Sequence, residues 1–236
     1  MPDRRPAAIL RVADAADVAA AVRFARAEGL RISVRSGGHS WCGVALRDGA
    51  LALDLRALEA IEVDAAARLA RVGPAVENAR LVEALSPLGL AFPVGHCPSV
   101  ALGGYLLSGG FGWNGGVLGP ACARVRALEL VDAQGELRRV DGASDPELLW
   151  AARGAGAGFF GVVTRFELEL AELPRAIRVQ ALAFPREEAR ALAGELDPLL
   201  ARRGAALELT LLAFPSGSGR ELELMGVAFG RDEGEA

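Results

Sequence analysis

The sequence predicts an α+β fold, and three observations carry that prediction. Residues 8–35 read strand, helix, strand; hairpin patterns follow at 61–72 and 125–140; and beyond Glu172-Leu173-Pro174 strand and helix patterns recur over 178–229. The 236 residues suffice for one large or two modest domains with their own cores. The division expected is residues 1–173 and residues 174–236, with the Glu172-Leu173-Pro174 segment as linker.

Taken in order, residues 8–12 (AILRV) predict a short buried strand. Asp14 is placed to cap the helix that follows, Asp17 favours the same end, and Gly29 stops it. Val18, Ala21, Val22 and Ala25 form the apolar stripe of that helix. A strand at 31–35 completes a β-α-β start, and the tight loop SGGHSWCG leads to a strand at 50–55. Residues 61–64 and 68–72 form a small hairpin. Pro74 is suited to open a helix with Val76, Ala79, Val82 and Leu85 on one face, ending at Gly89. Ala133-Gln134-Gly135 turns a hairpin between 125–131 and 136–140, and Asp145-Pro146 starts a short helix through Ala152. A strand over 162–170 follows the glycine run at 153–161. In the second region the pattern gives a strand at 178–184, a helix at 187–201, strands at 207–214 and 221–229, and a polar tail, RDEGEA. Its strands have too few partners to bury both faces.

Composition excludes several functions. The formal charge is −4 and no basic stripe occurs, which argues against nucleic acid as a partner. The chain has no lysine, so a Walker-type phosphate loop and a Schiff-base lysine are both ruled out. Three cysteines do not make a disulfide framework, and the N-terminus lacks the apolar core of a signal peptide, so a cytoplasmic setting is expected.

Residues 84–123 contain no Asp, Glu, Lys or Arg, yet Gly and Pro interrupt them too often for a membrane-spanning helix. Glycine at that density suits a backbone that closely approaches a ligand, here a large anionic cofactor. Ser36-Gly37-Gly38-His39-Ser40 can form an anion-binding nest of N–H groups, although a plain tight turn uses the same residues. Gly156-Ala157-Gly158-Phe159-Phe160-Gly161 matches GxGxxG, but the alternating VVTRFELEL after it predicts a strand where a dinucleotide fingerprint needs a helix. His39, Cys42, His96, Cys97 and Cys122 admit a zinc site, with His39-x₂-Cys42 in ligand spacing, or covalent attachment of an aromatic cofactor by imidazole and thiolate. A serine-hydrolase elbow, G-x-S-x-G, is absent. Spacing alone does not choose between zinc and attachment.

The segments RSGGHSW (35–41) and GHCPSVALGGYLLSGGFGWN (95–114) resemble the FAD-binding domain of the vanillyl-alcohol-oxidase or p-cresol-methylhydroxylase (PCMH) superfamily, and within it the berberine-bridge-enzyme-like FAD-linked oxidases. Residues 125–141 and 145–168 extend the resemblance. It implies a PCMH-type domain, a small βαβ subdomain plus an antiparallel-sheet subdomain, over 1–173. That domain would be incomplete at its N-terminus and followed by the truncated start of an α+β substrate domain over 174–236. It further implies FAD bonded through its 8α carbon to His39 and through C6 to Cys97. Arg35, Ser36, Gly37, Gly38 and Ser40 would make the diphosphate loop. Ser99, Val100, Gly103, Gly104, Gly110 and Gly112 would lie along the flavin and ribityl side, with Gly161 to Val163 at the adenosine. Val100 would stand beside the flavin C4a, where a small side chain is associated with access of O2, so an oxidase acting on an alcohol, carbohydrate or secondary-metabolite carbon is implied. The family's catalytic base would lie beyond this sequence, so no catalytic residue is assigned. A flavin-binding remnant without turnover, or a metal-binding scaffold on His39, Cys42 and Cys97, are the competing functions.

Overall fold

A computed structural model describes residues 3–202, 204–215, 221–230, 232 and 234, so the C-terminal tail expected at 231–236 lies outside the described residues except for two positions. Two compact units emerge. One comprises the chain up to Gly112 together with Pro120–Glu172; the other comprises Trp113–Gly119 together with the chain from Leu173.

The first unit begins with β1 (Ala8–Arg11), α1 (Ala15–Ala27), β2 (Ile32–Arg35) and β3 (Leu51–Asp54). The Asp14 carboxylate caps α1 by accepting from the Asp17 N–H, and Gly29, at φ +64°, takes the left-handed backbone that ends it. The expected stripe Val18, Ala21, Val22, Ala25 is buried and packs on Leu51, Leu53, Leu55, Val131 and Val162. The β-α-β expectation needs one amendment: β1 and β2 do not pair, because β3 lies between them in a parallel order β1-β3-β2. Leu51 is the register partner of both Ala8 and Ile32. The expected burial of β1 is therefore wrong. Every β1 residue is exposed while all four β3 residues are buried, because the edge strand has a ladder on one side only.

β4 (Ile61–Asp64) and β5 (Leu69–Val72) form the expected hairpin. The next helix, α2, spans Asn78–Leu85 and does not start at Pro74. Its inward residues are Asn78, Leu81 and Leu85, whereas Val82 is exposed, so the predicted face is rotated. Val76 is buried, but in the extended segment before the helix. After β6 (Leu90–Ala91), the charge-free stretch breaks into α3 (Leu102–Leu107), α4 (Gly115–Leu118) and turns. No helix among the described residues is long and apolar enough to cross a membrane. β7 (Val125–Val131) and β8 (Leu137–Asp141) pair across Gly135, which sits at φ +81°, and Asp145 caps α5 (Pro146–Ala152). β9 (Val162–Glu169) then becomes the centre of an antiparallel sheet ordered β4-β5-β9-β7-β8. β10 (Ala171–Glu172) pairs with β6. A mixed fold with an antiparallel sheet beside a small parallel one is thus what the sequence predicted.

The second unit holds β11 (Ala176–Phe184), α6 (Ala189–Arg202), β12 (Leu207–Ala213) and β13 (Leu222–Gly230). The antiparallel order is β11-β13-β12, and β11 is exposed or half-buried along its length. It also takes in α4. The Gly115 N–H donates to Glu208 Oε1 at 2.8 Å, and a Cβ on Gly116 would stand 2.2 Å from the Ala205 carbonyl oxygen.

Candidate functional site

A cavity of about 810 Å³ in the first unit is walled by the 35–42 loop after β2, by α3 with the turn before it, and by the 156–163 segment entering β9. The loop is anchored at its root. Arg35 donates to Asp54 Oδ2 at 2.7 Å, and Arg56 donates to both oxygens of the same buried carboxylate. Burial alone would raise the pKa of Asp54; the hydrogen bonds from Arg56 and Arg35 outweigh it and hold the group at a pKa of about 2.

Beyond Arg35 the backbone turns tightly, with Gly38 at φ +78°. Among the described residues, none accepts a hydrogen bond from the backbone N–H groups of 37–40. Unengaged donors along a cavity wall are what an anionic group requires. The loop lies hard against α3. A Cβ on Gly37 would stand 2.8 Å from the Ala101 Cβ, and one on Gly103 would stand 2.9 Å from both Pro74 Cβ and Ser36 Oγ. These glycines permit close approach of two segments. Gly104 differs, since a Cβ there would meet nothing within 4 Å, and it lines the cavity.

The opposite element is the turn 97–100, and α2 fixes it. The Asn78 N–H donates to the Val100 carbonyl at 3.0 Å and the Ala79 N–H to the Pro98 carbonyl at 3.0 Å. Asn78 Nδ2 donates to the Cys97 carbonyl at 3.0 Å. These are the N–H groups that a helix cannot satisfy internally. Ser99 Oγ then lies 3.0 Å from His39 Nε2 and 3.5 Å from Cys97 Sγ. The Cys97 thiol is held below the ordinary thiol range, chiefly by the Ser99 hydroxyl and then by the Ser99 N–H.

Of the predicted site residues, Arg35, Ser36, Gly37, Gly38, His39, Ser40, Cys97, Val100, Gly103, Gly104, Gly161 and Val163 all line this one cavity. Ser99 joins two of them without lining it. Gly110 and Gly112 stand elsewhere. A Cβ on Gly110 would strike Ala121 and the Tyr105 ring, and one on Gly112 the Val94 carbonyl at 2.0 Å, so both positions are tightly packed. Sequence reasoning left out Asn78, whose bond to the Cys97 carbonyl joins residues 19 apart and leaves no local pattern. It also left Tyr105 without a place. That residue lines the cavity and donates to the Pro93 carbonyl at 2.7 Å. For the zinc alternative, no group of three or more His, Cys, Asp or Glu side chains among the described residues is arranged to hold a metal ion.

Comparison with known proteins decides the family. The FAD binding domain family matches residues 6–141. The chain belongs to that family. The (R)-6-hydroxynicotine oxidase of Paenarthrobacter nicotinovorans is 41% identical to this FAD-binding chain over 197 residues, 84% of the chain and 43% of that protein. The crystal structure of 6-hydroxy-D-nicotine oxidase from Arthrobacter nicotinovorans is similar at a TM-score of 0.85 and 34% identity, covering 98% of this chain and 51% of that one. Wild-type Phl p 4.0202, a glucose dehydrogenase, gives a TM-score of 0.87 at 28% identity over 98% of this chain and 48% of its own. A Phl p 4 variant with one isoleucine replaced by valine, a glucose oxidase, matches with the same TM-score of 0.87. The chain spans about half the length of these relatives. Its cavity fits the cofactor of the family on its own geometry, through the four unengaged N–H groups of 37–40 and the open face of Gly104.

Proposed function

We propose that this chain is the FAD-holding part of an FAD-dependent oxidase whose flavin is attached at two points, His39 and Cys97. The observation that carries this reading is that two residues lining one cavity, His39 and Cys97, meet at the Ser99 hydroxyl, beside the unengaged N–H groups of 37–40. Residues 37–40 would receive the diphosphate, Gly104 and Val100 would lie along the ring system, and Gly161 and Val163 would meet the adenosine. When bound, FAD supplies the redox chemistry, taking a hydride from the substrate carbon and passing the electrons on. The protein's part is to orient it, exclude water from one face and hold the attachment groups in their reactive forms.

O2 is proposed as the electron acceptor. The support is the valine at position 100 on the cavity wall, read beside the isoleucine-to-valine variant of Phl p 4, which is an oxidase where the wild type is a dehydrogenase. The substrate proposed is a small molecule oxidised at an alcohol, carbohydrate or secondary-metabolite carbon. Residues 1–173 would form the FAD-binding domain and 174–236 the beginning of a substrate domain. All three cysteines are unpaired, which supports a reducing, cytoplasmic setting.

The test is direct. Purified chain should be yellow, and the colour should stay with the protein after acid precipitation. His39→Ala with Cys97→Ala should release it to the supernatant. Flavin that leaves the unmodified chain on precipitation would refute covalent attachment. Absence of peroxide across a panel of amines, sugars and alcohols would reduce the reading to a flavin-binding protein without turnover.

A further inference from the structure

We propose that Ser99 is a positioning residue whose single hydroxyl sets the protonation of both attachment groups, stabilising the Cys97 thiolate and holding His39 as the tautomer with its proton on Nε2 and a bare lone pair on Nδ1. This deepens the reading above and rests on it for its purpose, but the geometry stands on the chain's own residues.

Donor counting leads to it. A serine hydroxyl has one proton to give and two lone pairs, and a thiolate can only accept. Ser99 Oγ stands within hydrogen-bond reach of Cys97 Sγ and of His39 Nε2, at 3.5 and 3.0 Å. With Cys97 ionised, the hydroxyl proton points to sulfur, because a bond to a charged acceptor is about twice as strong as a neutral one. The oxygen must then accept, and the neighbour able to donate is Nε2–H of the imidazole. A neutral imidazole protonated on Nε2 keeps Nδ1 as its nucleophilic nitrogen. No other group among the described residues hydrogen-bonds to the His39 ring, so nothing competes for the tautomer.

The hydroxyl is held in place by the backbone beneath it. The carbonyls of Cys97, Pro98 and Val100 each accept from the head of α2, and the Val100 N–H closes the turn on the Cys97 carbonyl at 3.3 Å. The groups acting on the Cys97 thiol are the Ser99 hydroxyl, the N–H groups of Ser99 and Val100, and, in opposition, some loss of hydration and the Glu77 carboxylate at the N-cap of α2. Three donors thus favour the anion against one like charge. Ser99 itself is exposed, so replacing it does not open the core.

The experiment uses the full chain prepared without flavin. Iodoacetamide labelling of Cys97 is followed against pH by site-resolved peptide mass spectrometry, and the His39 ring nitrogens are observed by ¹⁵N NMR, assigned by their loss in His39→Ala. In the unmodified chain the Nε2–H tautomer should predominate. Ser99→Ala should slow Cys97 labelling at neutral pH by about tenfold, the scale of one lost hydrogen bond to a charged acceptor. It should also lower the Nε2–H excess of His39 to the ratio of a free histidine side chain, and Ser99→Thr should restore both. A labelling profile that Ser99→Ala leaves in place, or an unmodified chain whose His39 favours Nδ1–H, would overturn the proposal. Because no flavin is present, a colourless protein in the earlier test would leave these measurements intact, and failure here would leave FAD binding untouched.

Discussion

The loop 36–40 and the turn 97–100 face the same cavity and bring their side chains to the same hydroxyl, yet their backbones are opposites. In the loop, the N–H groups of 37–40 find no acceptor among the described residues. In the turn, the carbonyls of Cys97, Pro98 and Val100 are all taken by α2. A segment with unengaged donors can receive something; a segment whose carbonyls are tied to a helix can present something. On the proposed function the first would be a receptor for charge and the second a mount for a nucleophile.

The largest effect should come from the root of the loop. Asp54→Ala leaves Arg35 and Arg56 without their shared buried partner, a loss of about 3 kcal/mol for a broken buried pair, discounted to about 2 because both guanidiniums reach solvent. Urea unfolding of the chain reads it directly. The same carboxylate makes stability depend on acid. Its folded pKa of about 2 lies below the unfolded value of about 3.9, so its contribution is complete above about pH 4 and vanishes as the pH falls through 2. The unmodified chain should lose stability over that window, and Asp54→Asn should flatten the loss. An unchanged slope would show that the anchor is decorative.

Next, Gly37→Ala sets a methyl 2.8 Å from the Ala101 Cβ and should cost about 1–3 kcal/mol together with flavin retention, read by thermal unfolding and absorbance. Asn78→Ala should cost about 1 kcal/mol by removing the side-chain hydrogen bond to the Cys97 carbonyl and the longer one to the Gly95 carbonyl. Its signature is selective: flavin bonded to Cys97 should fall while flavin bonded to His39 persists, as resolved by peptide mapping. Equal loss of both would dissolve the distinction between mount and receptor. Smallest in stability is Gly104→Ala, where the new methyl meets no atom within 4 Å. It should leave unfolding unchanged or gain up to about 1 kcal/mol from helix propensity, and still weaken FAD uptake in a flavin titration. Undiminished uptake would remove Gly104 from the cofactor's path.

Much of the fold was legible because local signals carried it. Asp14 and Asp145 cap their helices, Gly29 and Gly135 adopt the positive φ their positions suggested, and the alternation after Gly161 becomes β9. What failed was decided at a distance. The pattern AILRV says apolar but not that β3 will take the central place and leave Ile9 exposed. The helix after Pro74 starts late because residues 73–76 are drawn into backbone bonds with Leu58 and Leu102. In the site, twelve of the residues singled out by motif line one cavity. Gly110 and Gly112 lie outside that lining and against Tyr105, and a glycine beside a cavity and a glycine beside a tyrosine ring look the same in a string of letters.

The central position of β3 orders events in time. Until Leu51–Asp54 has been made and threaded between its neighbours, β1 and β2 have no ladder to join, and Asp54 is not yet there to hold Arg35. A nascent chain halted before residue 50 therefore carries every residue of the 36–40 loop but not the carboxylate that anchors it. The proposed cofactor site would have to wait for a strand that does not line it.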